Sequence, residues 1–148
     1  MTIPPLLLLA EGRRPRARKV TWARPKEIHL HMDVARLLRT HCRSDWQWTH
    51  IGHGEARDKR TAAKLKHMGL RAGWPDFVLV PPTGQFHALE LKRPGEILSP
   101  AQDAFKLCAV RHGVPYVVAY QVSDVLTAFS AWRCLNDNAA SLLGGGHG

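Results

Sequence analysis

Hydrophobic and polar positions along this chain switch between a helical and an alternating period, and the switches divide it into elements. From Pro25 to Cys42, Leu30, Val34, Leu37 and Leu38 recur at helical spacing on an otherwise polar segment, which predicts a helix packed by one face. Trp46-Gln47-Trp48-Thr49-His50-Ile51 alternates, the mark of a strand with two unlike faces. Asp58 stands where it can cap a helix running to Met68, with Gly69 as its stop. Two short apolar runs, Phe77 to Val80 and Gln85 to Leu91, flank Pro81-Pro82-Thr83-Gly84 and predict a β-hairpin. Pro100 opens a further helix ended by Gly113, Val114 to Tyr120 is an apolar strand, and Ser123 is a candidate cap for a last helix to about Cys134. Hairpin, helix, strand, helix is the order of an α/β fold, a mixed central sheet flanked by helices. With 148 residues the chain buries a core without disulfides, and neither a repeat nor a second domain is apparent.

The chemistry concentrates at the predicted hairpin. With Pro82, Thr83 and Gly84 as a three-residue loop and Gly84 left-handed, Pro81 faces Gln85, and counting outward brings Asp76 opposite Glu90. Neighbouring strands lie about 4.8 Å apart, so both carboxylates can reach one divalent cation. Alternation sets Lys92 on the face of Glu90 and turns Leu89 and Leu91 to the other. Two carboxylates this close resist double ionisation, and a magnesium ion reverses that preference. Magnesium takes oxygen ligands, commonly one or two carboxylates together with substrate phosphate. It makes a bound water more acidic and offsets charge on the phosphate, so the trio suits phosphodiester hydrolysis. Lys92 can orient or deprotonate the water or hold a phosphate oxygen, and the residues alone leave these roles open. The ordinary alternative is an exposed ion pair between Glu90 and Lys92. It fits poorly with the apolar run Phe86 to Leu91, where charge is costly unless paired or metal-bound.

Charge narrows the substrate. Lys and Arg number 21 against 12 Asp and Glu, a net charge of +9, and a pI near 10.1 is the footprint of a nucleic-acid binder. Arg13, Arg14, Arg16, Arg18 and Lys19 lie in a stretch without apolar period and read as a mobile arm on phosphate, within a basic segment over residues 1–24. Arg57, Lys59, Arg60, Lys64, Lys66 and Arg71 cluster on or beside the helix ahead of the hairpin, where they can hold a nucleic-acid backbone across the cation. A solvated helix face is the alternative for any one of them. Phosphate contacts carry no base sequence, so binding is expected to depend strongly on salt and weakly on sequence. Trp22, Trp46, Trp48, Trp74 and Trp132 read as core rather than as base-stacking platforms. Cys42, Cys108 and Cys134 are odd in number and lack Cys-x-x-Cys spacing, as expected of reduced thiols in the cytoplasm. The apolar run Pro4 to Ala10 is too short to span a bilayer and has no basic residues before it, so no membrane partner is expected. Residues 136–148, rich in glycine, are expected to form a flexible tail.

Two other functional classes compete. His29, His31, His41, His50 and His53 lie near Cys42 and raise a zinc-binding module. His29 and His31, two apart on a helix, face different ways, and no paired spacing of a structural zinc site is present. A nucleic-acid-binding protein without turnover is the stronger rival, since charge would serve it without Asp76 or Glu90.

Taken in order, Ala62-Ala63-Lys64-Leu65-Lys66-His67-Met68-Gly69-Leu70-Arg71, Gly73-Trp74-Pro75-Asp76, Glu90-Leu91-Lys92 and Leu98-Ser99-Pro100-Ala101-Gln102 form a recognisable series. It resembles the VRR-NUC branch of the PD-(D/E)XK nuclease superfamily, over roughly Lys26 to Trp132. The resemblance implies a restriction-endonuclease-like core over residues 25–135 and a Mg2+-dependent endodeoxyribonuclease, with Mn2+ able to substitute. Asp76 and Glu90 would bind the metal, the Leu91 backbone carbonyl would be a further ligand, and Lys92 would assist the attacking water. It also gives a site role to Glu27, although a glutamate in a first helical turn is ordinary for its effect on the helix dipole. Gln102 resembles the glutamine that reaches the site from the helix after the core lysine. Ser99-Pro100-Ala101-Gln102 is equally a capping box with proline at the first helical position, which gives Gln102 a purely local alternative. Trp74 departs from the pattern, which more usually has a smaller apolar residue there. Stand-alone members resemble homodimeric enzymes that resolve four-way (Holliday) junctions, which implies branched DNA as partner and a DNA-repair or phage setting. Flaps, single strands and RNA remain alternatives.

Overall fold

The computed structural model describes residues 25–52 and 58–143. In chain order the elements are α1 (Pro25–His41), β1 (Gln47–His50), α2 (Lys59–His67), β2 (Phe77–Val80), β3 (His87–Leu91), α3 (Pro100–Arg111), β4 (Tyr116–Ala119) and α4 (Val122–Trp132). A 3-10 turn, Asp137–Ala139, and a short helix α5, Ala140–Leu143, follow. The strands stand in the order β1-β2-β3-β4, antiparallel until the parallel pair β3 and β4, with α3 as the crossover. This is the mixed α/β sheet that the order of elements implied.

The turn chemistry fixes the register. Gly84 takes φ +84°, a conformation open to glycine without steric cost, and its N–H donates to the Pro81 carbonyl at 2.9 Å. Phe77 consequently pairs with Leu89 and Val78 with Ala88, the register that sets Asp76 against Glu90 one step further out. Gln85 and Phe86 stay outside the ladder. Instead the Gln85 side-chain amide donates to the Gly113 carbonyl, tying the hairpin to the end of α3.

Because β3 has a neighbour on each side and helices above and below, Ala88, Leu89, Glu90 and Leu91 are all buried. Leu89 and Leu91 join Val34 and Leu38 of α1, Phe77 and Leu79 of β2, and Val125 and Phe129 of α4 in one core. Each such side chain contributes about 1.5–3 kcal/mol by leaving water, and this core is the platform on which Glu90 stands.

Three expectations require correction. The N-cap of α4 is Gln121 and not Ser123, because the Asp124 carboxylate accepts from the N–H groups of Tyr120 at 2.9 Å and Gln121 at 3.2 Å. A carboxylate in the first turn also complements the helix dipole, which a hydroxyl does not. Trp74 is 42% exposed rather than core, lying against Phe105 with ring centroids 5.1 Å apart. Beyond Leu135 the chain is helical through Leu143, with Ala139 at 1% exposure and the Asn136 N–H donating to the His41 carbonyl at 2.7 Å. The tail proper, residues 144–148, and the arm, residues 1–24, lie outside the described residues. None of the described helices is long and apolar enough to cross a membrane.

Candidate active site

Asp76 is positioned by the segment before it. Gly73 takes φ +91°, and a Cβ there would stand 2.3 Å from the Ala101 carbonyl oxygen, so only glycine lets this loop lie on the first turn of α3. Pro75 is buried, and the Asp76 carbonyl accepts from the Ile51 N–H at 2.7 Å, which prolongs the pairing of β1 with β2. The Asp76 side chain then reaches across the hairpin. Its Oδ2 accepts from the Leu91 N–H at 2.7 Å, while Oδ1 lies 3.9 Å from His31 Nε2.

Glu90 stands beside it at 1% exposure, the one buried charged residue among those described. Gln102 Nε2 donates to its Oε1, and Lys92 Nζ lies 3.5 Å from the same oxygen. The other oxygen, Oε2, is buried and has no hydrogen-bond partner among the described residues. Burial, and secondly the charge of Asp76, push the Glu90 carboxyl up to about 8 against the opposing pull of Lys92. A group in this state holds its proton at neutral pH and releases it to a cation.

The two alternatives for Gln102 are both realised. Its Oε1 accepts from the Ser99 N–H at 2.9 Å and its own N–H donates to Ser99 Oγ at 3.3 Å, closing the capping box, while Nε2 is left to serve Glu90. A glutamate would cap equally well. It would, however, set a second carboxylate against Glu90, and the amide is the side chain that satisfies both neighbours.

With this geometry, the model of the VRR-NUC domain matches residues 22–123, more than half of the chain. The chain belongs to the VRR-NUC family. A search of curated proteins gave no match. Among solved structures, one described as a VRR_NUC domain protein superposes with a TM-score of 0.58 at 19% identity, covering 78% of this chain and 94% of that one. It shares the fold. Family membership gives this VRR-NUC chain a nuclease-type function and, with it, DNA binding.

Other expected site residues lie at varying distance from this centre. Glu27 falls in the first turn of α1, its side chain outside the described residues. Leu91 lies at the end of β3, buried, with its N–H taken by Asp76. Lys59, Arg60, Lys64 and Lys66 are exposed on α2, and Arg71 is exposed beyond it. Asp58 caps α2 by accepting from the Thr61 N–H at 2.8 Å, and no residue of this helix is buried. Arg57 and the arm residues Arg13, Arg14, Arg16, Arg18 and Lys19 lie outside the described residues.

Sequence reasoning named His31 and His50 among the zinc candidates but set that class aside on spacing and did not pair them. His31 Nδ1 and His50 Nε2 lie 3.0 Å apart, with His31 Nε2 3.9 Å from Asp76 Oδ1. The pairing joins α1 to β1, so no spacing along the chain announces it. The strand period at Trp46 to Ile51, with His50 paired opposite Phe77 next to Asp76, was the available signal. The Tyr116 hydroxyl is buried without a partner among the described residues; burial, Glu90 and Asp76 in that order raise its pKa.

Proposed function

We propose that this VRR-NUC domain is a metal-dependent, structure-selective DNA endonuclease that hydrolyses phosphodiester bonds. The observation that carries the reading is Glu90, buried to 1% exposure beside Asp76, with Oε2 unpartnered among the described residues. An unsatisfied buried acceptor costs about 1–3 kcal/mol, and a hard dication answers it with the oxygen donors at hand. Asp76, Glu90 and the Leu91 carbonyl would hold Mg2+, or Mn2+ in its place, with Glu27 a further ligand from α1. When bound, the ion supplies Lewis acidity toward a phosphate oxygen and lowers the pKa of water.

The chain's own residues divide the remaining work. Gln102 holds Oε1 of Glu90 from α3 and so leaves Oε2 for the ion. Lys92, held near the same oxygen, either orients the attacking water or binds a non-bridging phosphate oxygen. Lys59, Arg60, Lys64, Lys66 and Arg71, with Arg57 and the basic arm, hold the DNA backbone. The resemblance to stand-alone VRR-NUC enzymes supports a homodimer acting on branched DNA, four-way junctions first.

A panel of end-labelled junctions, flaps, duplexes and single strands, incubated with and without Mg2+, tests this. Symmetric cuts on opposing strands of a junction, stopped by chelator, are the expected result. Binding without cleavage of any member would leave a DNA-binding protein without turnover.

A further inference from the structure

We infer that His31, His50 and Asp76 form a second cation position, of mixed nitrogen and oxygen donors, that takes a transition-metal dication of the Zn2+ and Co2+ class. Each residue offers one ligand atom, and these atoms all lie within 4.8 Å of one another. An ion about 2.0–2.1 Å from each nitrogen and oxygen holds tetrahedral ligands about 3.4 Å apart, so side-chain rotations that draw the donors together by up to about 1.4 Å close the site. His31 turns Nδ1 to His50 Nε2, at 3.0 Å, and Nε2 to Asp76 Oδ1, at 3.9 Å, so a modest turn of its ring commits one of these nitrogens to the ion.

The framework under these three side chains is fixed by packing. His31 comes from α1, His50 from β1 and Asp76 from the residue before β2. Both imidazoles lie on the ring of Phe77, which is fully buried, with centroid separations of 5.0 Å for His50 and 6.1 Å for His31. The Ile51 N–H bond to the Asp76 carbonyl locks the neighbouring backbones together. Asp76 is thereby divided: Oδ2 is oriented by the Leu91 N–H, and Oδ1 faces His31.

Donor chemistry decides the ion. Magnesium takes oxygen donors, whereas imidazole suits zinc, cobalt, nickel and iron. Two imidazoles and one carboxylate are the three-ligand set that leaves a fourth position for water or a phosphate oxygen. This position shares Asp76 with the carboxylate site but needs neither Glu90 nor Lys92, so it stands or falls apart from the proposed cleavage.

Titration of the metal-free full chain with Co2+, followed by visible absorption, tests the assignment, with Zn2+ and Mg2+ as competitors. A d–d band that is displaced by Zn2+ and not by a large excess of Mg2+ is the expected result. His31→Gln and His50→Gln should each weaken Co2+ binding at least about tenfold, with unchanged circular dichroism. Glu90→Gln should keep the band while losing Mg2+-dependent cleavage, which separates failure of this site from failure of the carboxylate site. Full Co2+ affinity in both histidine variants, or displacement by Mg2+ as readily as by Zn2+, overturns the inference.

Discussion

Glu90 and the α2 lysines are both ionisable and both proposed to serve one function, yet they are built in opposite ways. Glu90 sits on a strand buried on both faces, bonded by a side chain from the next helix and opposed by the carboxylate of Asp76, just ahead of β2. Lys59, Lys64 and Lys66 sit on a helix with no buried residue, whose local order rests on the Asp58 cap and its own hydrogen bonds. The difference teaches where exact placement is needed. A cation site fails when its oxygens shift by a fraction of an ångström, and backbone phosphates tolerate long flexible ammonium groups.

The comparison breaks most sharply at the carboxylates. Asp76→Ala should reduce Mg2+-dependent cleavage by about three orders of magnitude or more while DNA affinity at low salt stays near wild type. Parallel gel-shift and cleavage assays read both quantities. Gly73→Ala should come next. A side chain at φ +91° costs about 1–3 kcal/mol, and its Cβ would also meet the Ala101 carbonyl, so a lower melting temperature and impaired cleavage are expected together.

The proton on Glu90 supplies a third prediction. Its folded-state pKa of about 8 lies above the ordinary glutamate value of 4.5. The contribution of this group to stability is therefore fully present below about 4.5 and lost as pH rises through about 8. Metal-free wild type should lose melting temperature across that window relative to Glu90→Gln, and Mg2+ should bind more tightly as pH rises. Calorimetric melts at several pH values check the sign.

Smaller effects separate the two roles of Gln102 and the two kinds of region. Gln102→Glu keeps the cap and should lower cleavage about ten- to a hundredfold through repulsion at Glu90. Equal loss of thermal stability and cleavage would leave it with a purely capping role. Lys64→Ala or Lys66→Ala should weaken DNA binding a few-fold, lessen the salt dependence by about one ion, and leave folding stability within about 0.5 kcal/mol of wild type.

Much of the fold was legible because local signals agreed with one another. Gly84 required a left-handed turn, and that turn alone set Phe77 opposite Leu89. Asp58 and Gly69 bracket α2 as read, and Ser99 caps α3. What escaped was decided between elements distant in sequence. The burial of Glu90 on both faces depends on β4 pairing with β3 after a helical crossover, and His31 meets His50 only because α1 packs over β1 and β2. The two side-chain hydrogen bonds of Gln102, to Ser99 and to Glu90, could be framed from sequence as two alternatives, but their compatibility is a matter of geometry. At α4 two capping groups competed, and the carboxylate of Asp124 prevailed over the hydroxyl of Ser123.

The most direct test of the central claim is anomalous diffraction from crystals soaked in Mn2+. The account predicts an anomalous peak about 2.1–2.3 Å from Glu90 Oε2 and from an oxygen of Asp76, lost in Glu90→Gln. Strong density elsewhere, with the pocket between these carboxylates lacking an ion at saturating Mn2+, would contradict it.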